Sequence, residues 1–362
     1  MTRTDSDPTA QRLLLVSVPR TASNLLLKVL NIHEQPSLHT NNKGGYFFFD
    51  AFTAEVQSGL LTTPPSAWST STVAEVRSAF QTCLNALEEF SREAETTGKR
   101  AFAKEHAFWF LNPLSFHPTN PEEPASDDDD LTQSEEELFR LTLPSKYGKT
   151  NTFSSENRTI LPDEYLRTWR MAFIIRHPAL TFPSFYRAML KMSETGYLVD
   201  DEESMRGTLA TNMSMRWTRL LVEWCLRHRP GEPVLLLDAH DLIHDPVAVR
   251  RFCNLAGLDE SVVKFEWGAG EPHQRKRKEE APDEATFTKE QREYHAAAKI
   301  MFSTLEGSSG MMKDKTPSMV DVGAEVGKWR AEFGEEAAGM LERAVEEAMP
   351  DYEFLMARRV RG

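Results

Sequence analysis

The sequence predicts an α/β fold of three layers, a central parallel sheet flanked by helices, from three observations. Residues 13–18, 171–175 and 233–237 are short runs that are apolar save for Ser17, as in strands covered on both faces rather than half-solvated ones. Each run leads through a brief polar turn into a segment with helical spacing, the alternation that builds parallel sheets. The 362 residues suffice for one large α/β domain with insertions or for two smaller ones, and a single domain over 1–362 is the reading adopted.

The first strand, Leu13 to Val18, is closed by Pro19, and from Asn24 onward leucines recur at helical spacing. Arg20, Thr21, Ala22 and Ser23 fill the turn between them. Such a turn directs unpaired backbone N–H groups and the positive end of a helix dipole at one small volume, where Ser23 and Asn24 add side-chain donors. That volume suits an anion. A nucleoside-triphosphate loop would need G-x-x-x-x-G-K-[ST], and the absence of its glycines and lysine counts against a kinase or ATPase.

Residues 44–52, GGYFFFDAF, place five aromatics behind a glycine pair, either as core or as the lining of an apolar acceptor pocket near the carboxyl ends of the strands. Residues 73–95 carry Val73, Val76, Phe80, Leu84, Leu87 and Phe90 at helical period and form a packed amphipathic helix. A strand over 100–103 follows, then Lys104, Glu105 and His106 and the aromatics Phe108, Trp109 and Phe110. A histidine among aromatics is most often a core residue, but the carboxyl end of a strand is where open α/β sheets put their chemistry.

Residues 112–157 lose periodicity and include Asp127 to Asp130 and Glu135 to Glu137, which reads as an acidic surface insertion with no divalent-ion loop spacing. The strand at 171–175 runs into Arg176, His177, Pro178 and a helix bearing Ser184. One helix is expected over 205–228, with Met213, Trp217, Leu220, Leu221 and Trp224 inward, and the strand at 233–237 ends in DAHDLIHDP. His240 and His244 lie four apart there, but a strand-end loop does not put them on one helical face, so no metal site is expected. Residues 268–290 form a charged, lid-like segment, and a helix over 335–349 closes the domain.

Composition narrows the partners. With 42 basic and 55 acidic residues, formally −13, the chain disfavours nucleic acid, since phosphate backbones are held by excess Lys and Arg. Cys83, Cys225 and Cys253 show no paired or metal-ligand spacing, as for small buried side chains in a reducing compartment. No apolar leader and no run approaching the roughly 20 apolar residues of a membrane span is present, so a cytoplasmic protein away from membranes is expected. The oligomeric state is not legible.

The turn at 19–25 resembles the 5′-phosphosulfate loop of the PAPS-dependent sulfotransferases, P-[KR]-[ST]-G-[ST]-[ST]-[WL]. Pro19, Arg20, Thr21, Ser23 and Leu25 are in place, with Ala22 for the usual Gly and Asn24 for Ser or Thr. Lys104 and His106 match the family's K-T-H, with Glu105 replacing Thr, and FIIRHPALTFPSFY matches its 3′-phosphate motif through Arg176 and Ser184. Residues 326–333 match V-G-x-W-[KR]-x-x-F, but the Arg-Lys-Gly that usually precedes it is replaced by Val322, Gly323 and Ala324; Lys313 or Lys315 are the nearby substitutes. Ala239 and His240 stand where the family has Tyr and Glu.

The resemblance implies a P-loop sulfotransferase-like fold and transfer of a sulfuryl group from PAPS to a hydroxyl or amine of a small, apolar or aromatic acceptor, without a metal. It implies His106 as general base, Lys104 and Arg20 as stabilisers of developing charge, and Arg20, Thr21, Ala22, Ser23, Asn24, Arg176 and Ser184 as the donor site. Two alternatives stay open. One is an enzyme of this fold that no longer uses PAPS and carries out rearrangement or elimination with His106; the other is a non-catalytic binding protein.

Overall fold

The structure, a computed structural model, describes residues 12–41, 44–117, 137–195, 201–266, 292, 300 and 316–362. Strands β1 (Arg12–Ser17), β2 (Leu38–His39), β3 (Arg100–His106), β4 (Arg170–Ile175) and β5 (Leu235–Asp238) form one sheet in the order β2-β3-β1-β4-β5, all neighbours parallel. β1 is central, and the chain builds β2 and β3 on one side of it before crossing to build β4 and β5 on the other. The carboxyl end of β1 is thus the point where connections diverge, where such sheets open a ligand crevice.

The principal helices are α1 (Ser23–Val29), α2 (Phe49–Gln57), α3 (Thr70–Thr96), α4 (Asp163–Leu166), α5 (Pro178–Ser193), α6 (Glu202–Asn212), α7 (Arg216–His228), α8 (Ala239–His244), α9 (Pro246–Leu255), α10 (Val322–Phe333) and α11 (Glu335–Met356). The strand runs are apolar on both sides because each side meets a helix layer. Leu14, Val16, Ala103 and Phe173 join Phe52, Phe80, Phe182, Leu221, Trp329 and Leu341 of α2, α3, α5, α7, α10 and α11. Leu13, Leu15, Phe102, Ile174 and Leu237 join Leu26, Leu242 and Phe252 of α1, α8 and α9. The expected three-layer α/β fold is what the chain adopts.

The outer edge of β5 is covered by the C-terminal segment, where the Val360 N–H donates to Leu236 O at 2.8 Å. No helix among the described residues is long and apolar enough to cross a membrane. The three cysteines are buried free thiols.

Several expectations are corrected. The stretch 112–157 is not surface at its ends: Asn112, Leu114, Phe139, Leu141 and Asn157 are buried. Tyr147 explains part of this, because its hydroxyl accepts from the Arg12 guanidinium (2.6 Å) and donates to the Glu88 carboxylate (2.8 Å), tying the segment to β1 and α3. The Asp127 to Asp130 run and the charged segment 268–290 lie outside the described residues.

The helix expected over 205–228 is two, α6 and α7. Met213 leaves helical geometry at φ −93°, ψ 53°, and Ser214 Oγ accepts the Arg216 N–H at 3.2 Å to start the next helix. The last helix runs through Pro350 to Met356, because Ala348, Tyr352 and Leu355 continue its buried stripe and outweigh one lost backbone bond.

Candidate active site

β3 runs three residues further than its apolar start suggests. The ladder with β1 pairs Leu15 with Lys104, Val16 with Glu105 and Ser17 with His106. Alternation along the strand then puts Lys104 and His106 on the α1 side and Glu105 on the α2 side. All three are buried, Lys104 at 0% exposure, Glu105 at 2% and His106 at 5%.

His106 Nδ1 lies 3.0 Å from Ser17 Oγ, and Nε2 lies 3.3 Å from the Tyr46 hydroxyl. The ring is enclosed by aromatics, with Trp109 edge-on at 4.4 Å and Phe108 stacked at 5.8 Å. Burial, and secondly the Lys104 charge, push its proton affinity well below the usual imidazole range. It is therefore neutral near pH 7, the form in which a base works. Lys104 Nζ donates to Asn24 Oδ1 and lies 4.5 Å from the centre of the Tyr46 ring. Burial lowers the Lys104 pKa to about 7.

Glu105 points the other way. Its Oε1 accepts the Phe47 N–H (2.6 Å) and the Phe48 N–H (3.1 Å), while Oε2 is buried without a hydrogen bond. Burial pushes this carboxyl up to about 8.

The turn after β1 is built on two left-handed residues other than glycine, Arg20 (φ 67°) and Ala22 (φ 63°). Thr21 is fully buried and its hydroxyl donates to Val18 O at 2.7 Å, closing the turn. Ala22 caps α1 without a side-chain acceptor, so the first amides of that helix are offered to the crevice. Asn24 does not serve there through its oxygen, which is engaged by Lys104; it joins the turn to β3 instead.

The third part comes from the carboxyl end of β4. Arg176 donates from Nη1 to Arg20 O at 3.1 Å, and Ser184, on α5, accepts from Arg20 Nε at 3.1 Å. The residues expected as one donor site are thereby brought together: the Arg20 turn, Arg176 and Ser184 are in direct contact, with Lys104 linked through Asn24.

Burial first, and then Arg187, lower the proton affinity of Arg20. Burial and then Arg20 bring Arg176 down to about 10. Buried guanidinium groups whose proton affinity is lowered by a neighbouring cation gain stability from an anion placed beside them. The arrangement thus favours an anion at this place.

The C-terminal motif contributes packing rather than contacts at this crevice. Val326 and Trp329 are buried, whereas Lys328 pairs with Glu325 and Arg330 with Glu335. Lys313 and Lys315 lie outside the described residues. His240 and His244 correct the expectation made for them: they lie on α8, stacked at 4.4 Å, because Asp238 accepts the His240 N–H and caps a helix there. Both rings reach Thr316 O, at 2.9 and 3.0 Å. Among the described residues no group of three His, Cys, Asp or Glu could hold a metal ion.

Sequence reasoning missed Ser17 and the contact made by Tyr46. The glycine pair before Tyr46 was the available signal, since glycines mark a close backbone approach.

Two curated relatives are similar along almost the whole chain. Sulfotransferase ppzF of Metarhizium rileyi (strain RCEF 4871) is 32% identical over 367 residues, covering 97% of this chain and 96% of its own. Sulfotransferase ppzF of Metarhizium majus (strain ARSEF 297) is 32% identical over 372 residues, covering 96% of each chain. No family model matches, and no solved structure matches.

Proposed function

The chain belongs to the sulfotransferases, and from that premise we propose that it moves a sulfuryl group from PAPS to a hydroxyl or amine of a small, apolar or aromatic acceptor. The observation that carries the donor assignment is the joining of Arg20, Arg176 and Ser184 by two 3.1 Å hydrogen bonds across more than 150 residues of chain. A bidentate-capable guanidinium and a hydroxyl at one place are what a phosphate dianion requires.

PAPS supplies an electrophilic sulfur with a phosphate leaving group. The acceptor's proton passes to His106 Nε2 through the Tyr46 hydroxyl that stands 3.3 Å from it, as the acceptor oxygen or nitrogen bonds to sulfur and the bond from sulfur to the phosphate oxygen breaks. Lys104 and Arg20 hold the charge that develops on the transferring oxygens, a task fixed cations perform without solvent rearrangement. Thr21, Ala22 and Ser23 shape the turn that receives the 5′-phosphate, and Arg176 with Ser184 holds the 3′-phosphate. Tyr46, Phe49 and Phe52 are each in ring contact with Trp109, which itself stands edge-on to His106, and this favours an aromatic acceptor. The acidic composition supports a small-molecule partner rather than nucleic acid, and a cytoplasmic reaction away from membranes is part of the proposal.

The test is calorimetric titration with 3′-phosphoadenosine 5′-phosphate, followed by turnover with PAPS and a panel of phenols, alcohols and amines. Tight binding with transfer to an apolar acceptor supports the reading. Absence of nucleotide binding would redirect it to acid–base chemistry centred on His106.

A further inference from the structure

Resting on the sulfotransferase reading, we propose that Glu105 is a positioning residue: its carboxyl group fastens the 44–48 turn against β3 and thereby holds the Tyr46 hydroxyl on His106 Nε2. The resemblance gives no role to this position, where the family has a threonine with a shorter side chain.

Tyr46 is pinned on both flanks. On one side Gly45 O accepts the Lys104 N–H at 2.9 Å, and the Gly45 N–H donates to Asn41 Oδ1 at 2.8 Å. Only glycine fits there, since φ is +94° and a Cβ would stand 2.9 Å from both Lys104 Cβ and Lys104 N. On the other side the two amides that follow Tyr46 both donate to Glu105 Oε1, at 2.6 and 3.1 Å. A residue whose neighbours are tied in both directions has its side-chain direction set by the backbone. The phenol consequently stands 3.3 Å from His106 Nε2, with its ring against Trp109 at 4.7 Å and over the Lys104 ammonium at 4.5 Å.

The placement of Glu105 follows from strand alternation. A carboxylate at 2% exposure on the apolar side of β3 is expensive to bury, and its second oxygen makes no hydrogen bond to repay the cost. The bonded oxygen serves these two amides alone. Burial pushes the carboxyl up to about 8, as that cost requires.

The experiment compares Glu105→Ala, Tyr46→Phe, the double variant and Glu105→Gln. Glu105→Ala should lower kcat on the order of 10- to 100-fold, the scale of a misplaced catalytic group, while donor affinity holds. If Glu105 acts through Tyr46, the double variant is no slower than the slower single one. Glu105→Gln, which keeps one acceptor oxygen, recovers most of the loss. In parallel the ¹⁵N resonance of His106 Nε2, read without turnover, should move alike in Glu105→Ala and Tyr46→Phe and return in Glu105→Gln. Should Glu105→Ala not fold, Glu105→Asp, which withdraws the carboxylate from the amides, takes its place. Additive rate losses, or an Nε2 resonance indifferent to Glu105, overturn the proposal. If the wild type transfers no sulfuryl group at all, the sulfotransferase reading fails while the resonance still decides the role of Glu105.

Discussion

Ser17 Oγ lies 3.0 Å from His106 Nδ1, because the two residues are register partners at the carboxyl ends of β1 and β3. The same hydroxyl reaches Glu105 O at 3.5 Å, so its proton is directed there and its oxygen accepts from Nδ1–H. That bonding pattern assigns the lone pair to Nε2, the nitrogen facing Tyr46.

The first prediction follows from that tautomer. His106→Ala should lower kcat by roughly 10² to 10⁴ with nucleotide affinity nearly unchanged. Because burial holds the imidazole neutral, the wild-type kcat/KM should show no loss attributable to His106 as pH falls from about 8 to the ordinary imidazole range near 6.5. An unaffected rate in His106→Ala would remove the base assignment.

Arg176 should decide donor selectivity. Wild type is expected to prefer 3′-phosphoadenosine 5′-phosphate over AMP, and Arg176→Ala to lose most of that preference while keeping its weak AMP affinity. A charge-assisted bond to a partly buried phosphate is worth roughly 1.5 to 3 kcal/mol, or about 10- to 150-fold in the affinity ratio. Equal wild-type affinities for the two nucleotides would be incompatible with a 3′-phosphate site here.

Lys104 should couple donor binding to proton uptake. With its pKa lowered to about 7 by burial, it is only partly charged near neutrality, and an incoming anion raises its proton affinity. Calorimetry at about pH 8 in buffers of different ionisation enthalpy should show a proton taken up on binding. The uptake should vanish near pH 5.5, where Lys104 is already protonated, and also in Lys104→Met. Buffer-independent heats at pH 8 would contradict it.

The turn after β1 carries strain that glycine would relieve. Ala22 holds φ 63°, a conformation that costs a residue with a Cβ about 1–2 kcal/mol, part of which glycine would return through its freer unfolded chain. Ala22→Gly should raise stability by about 0.5–1 kcal/mol, seen as a higher denaturant midpoint at unchanged slope. A lower midpoint would mean that the turn is not strained at this position.

The elements that a local signal specifies were legible in the chain. Apolar runs covered on both faces announced β1, β4 and β5, and helical periodicity announced α3 and the start of α11. His106, Lys104, Arg20 and Arg176 could be singled out because each stands at or just past the end of a strand run, where side chains leave the core for the crevice, whereas Ser184, on α5, was named only through the resemblance to the family's 3′-phosphate motif. The break at Met213, the passage through Pro350 and the burial of Leu114 and Phe139 were not legible, since packing against distant helices decides them.

The same division runs through the site. Motif spacing named Lys104 and His106 but placed them beyond the end of their strand; pairing with β1 as far as Ser17 extends β3 through His106 and sends Glu105 to the opposite face. Tyr46 could be read only as an aromatic in a cluster, because its hydroxyl meets a ring 60 residues away. Sequence determines which residues can do chemistry, through short-range patterns written into neighbouring positions. Only the tertiary structure decides which of them meet, because strand register and the return of Gly45 to β3 are set by hydrogen bonds between segments far apart in the chain.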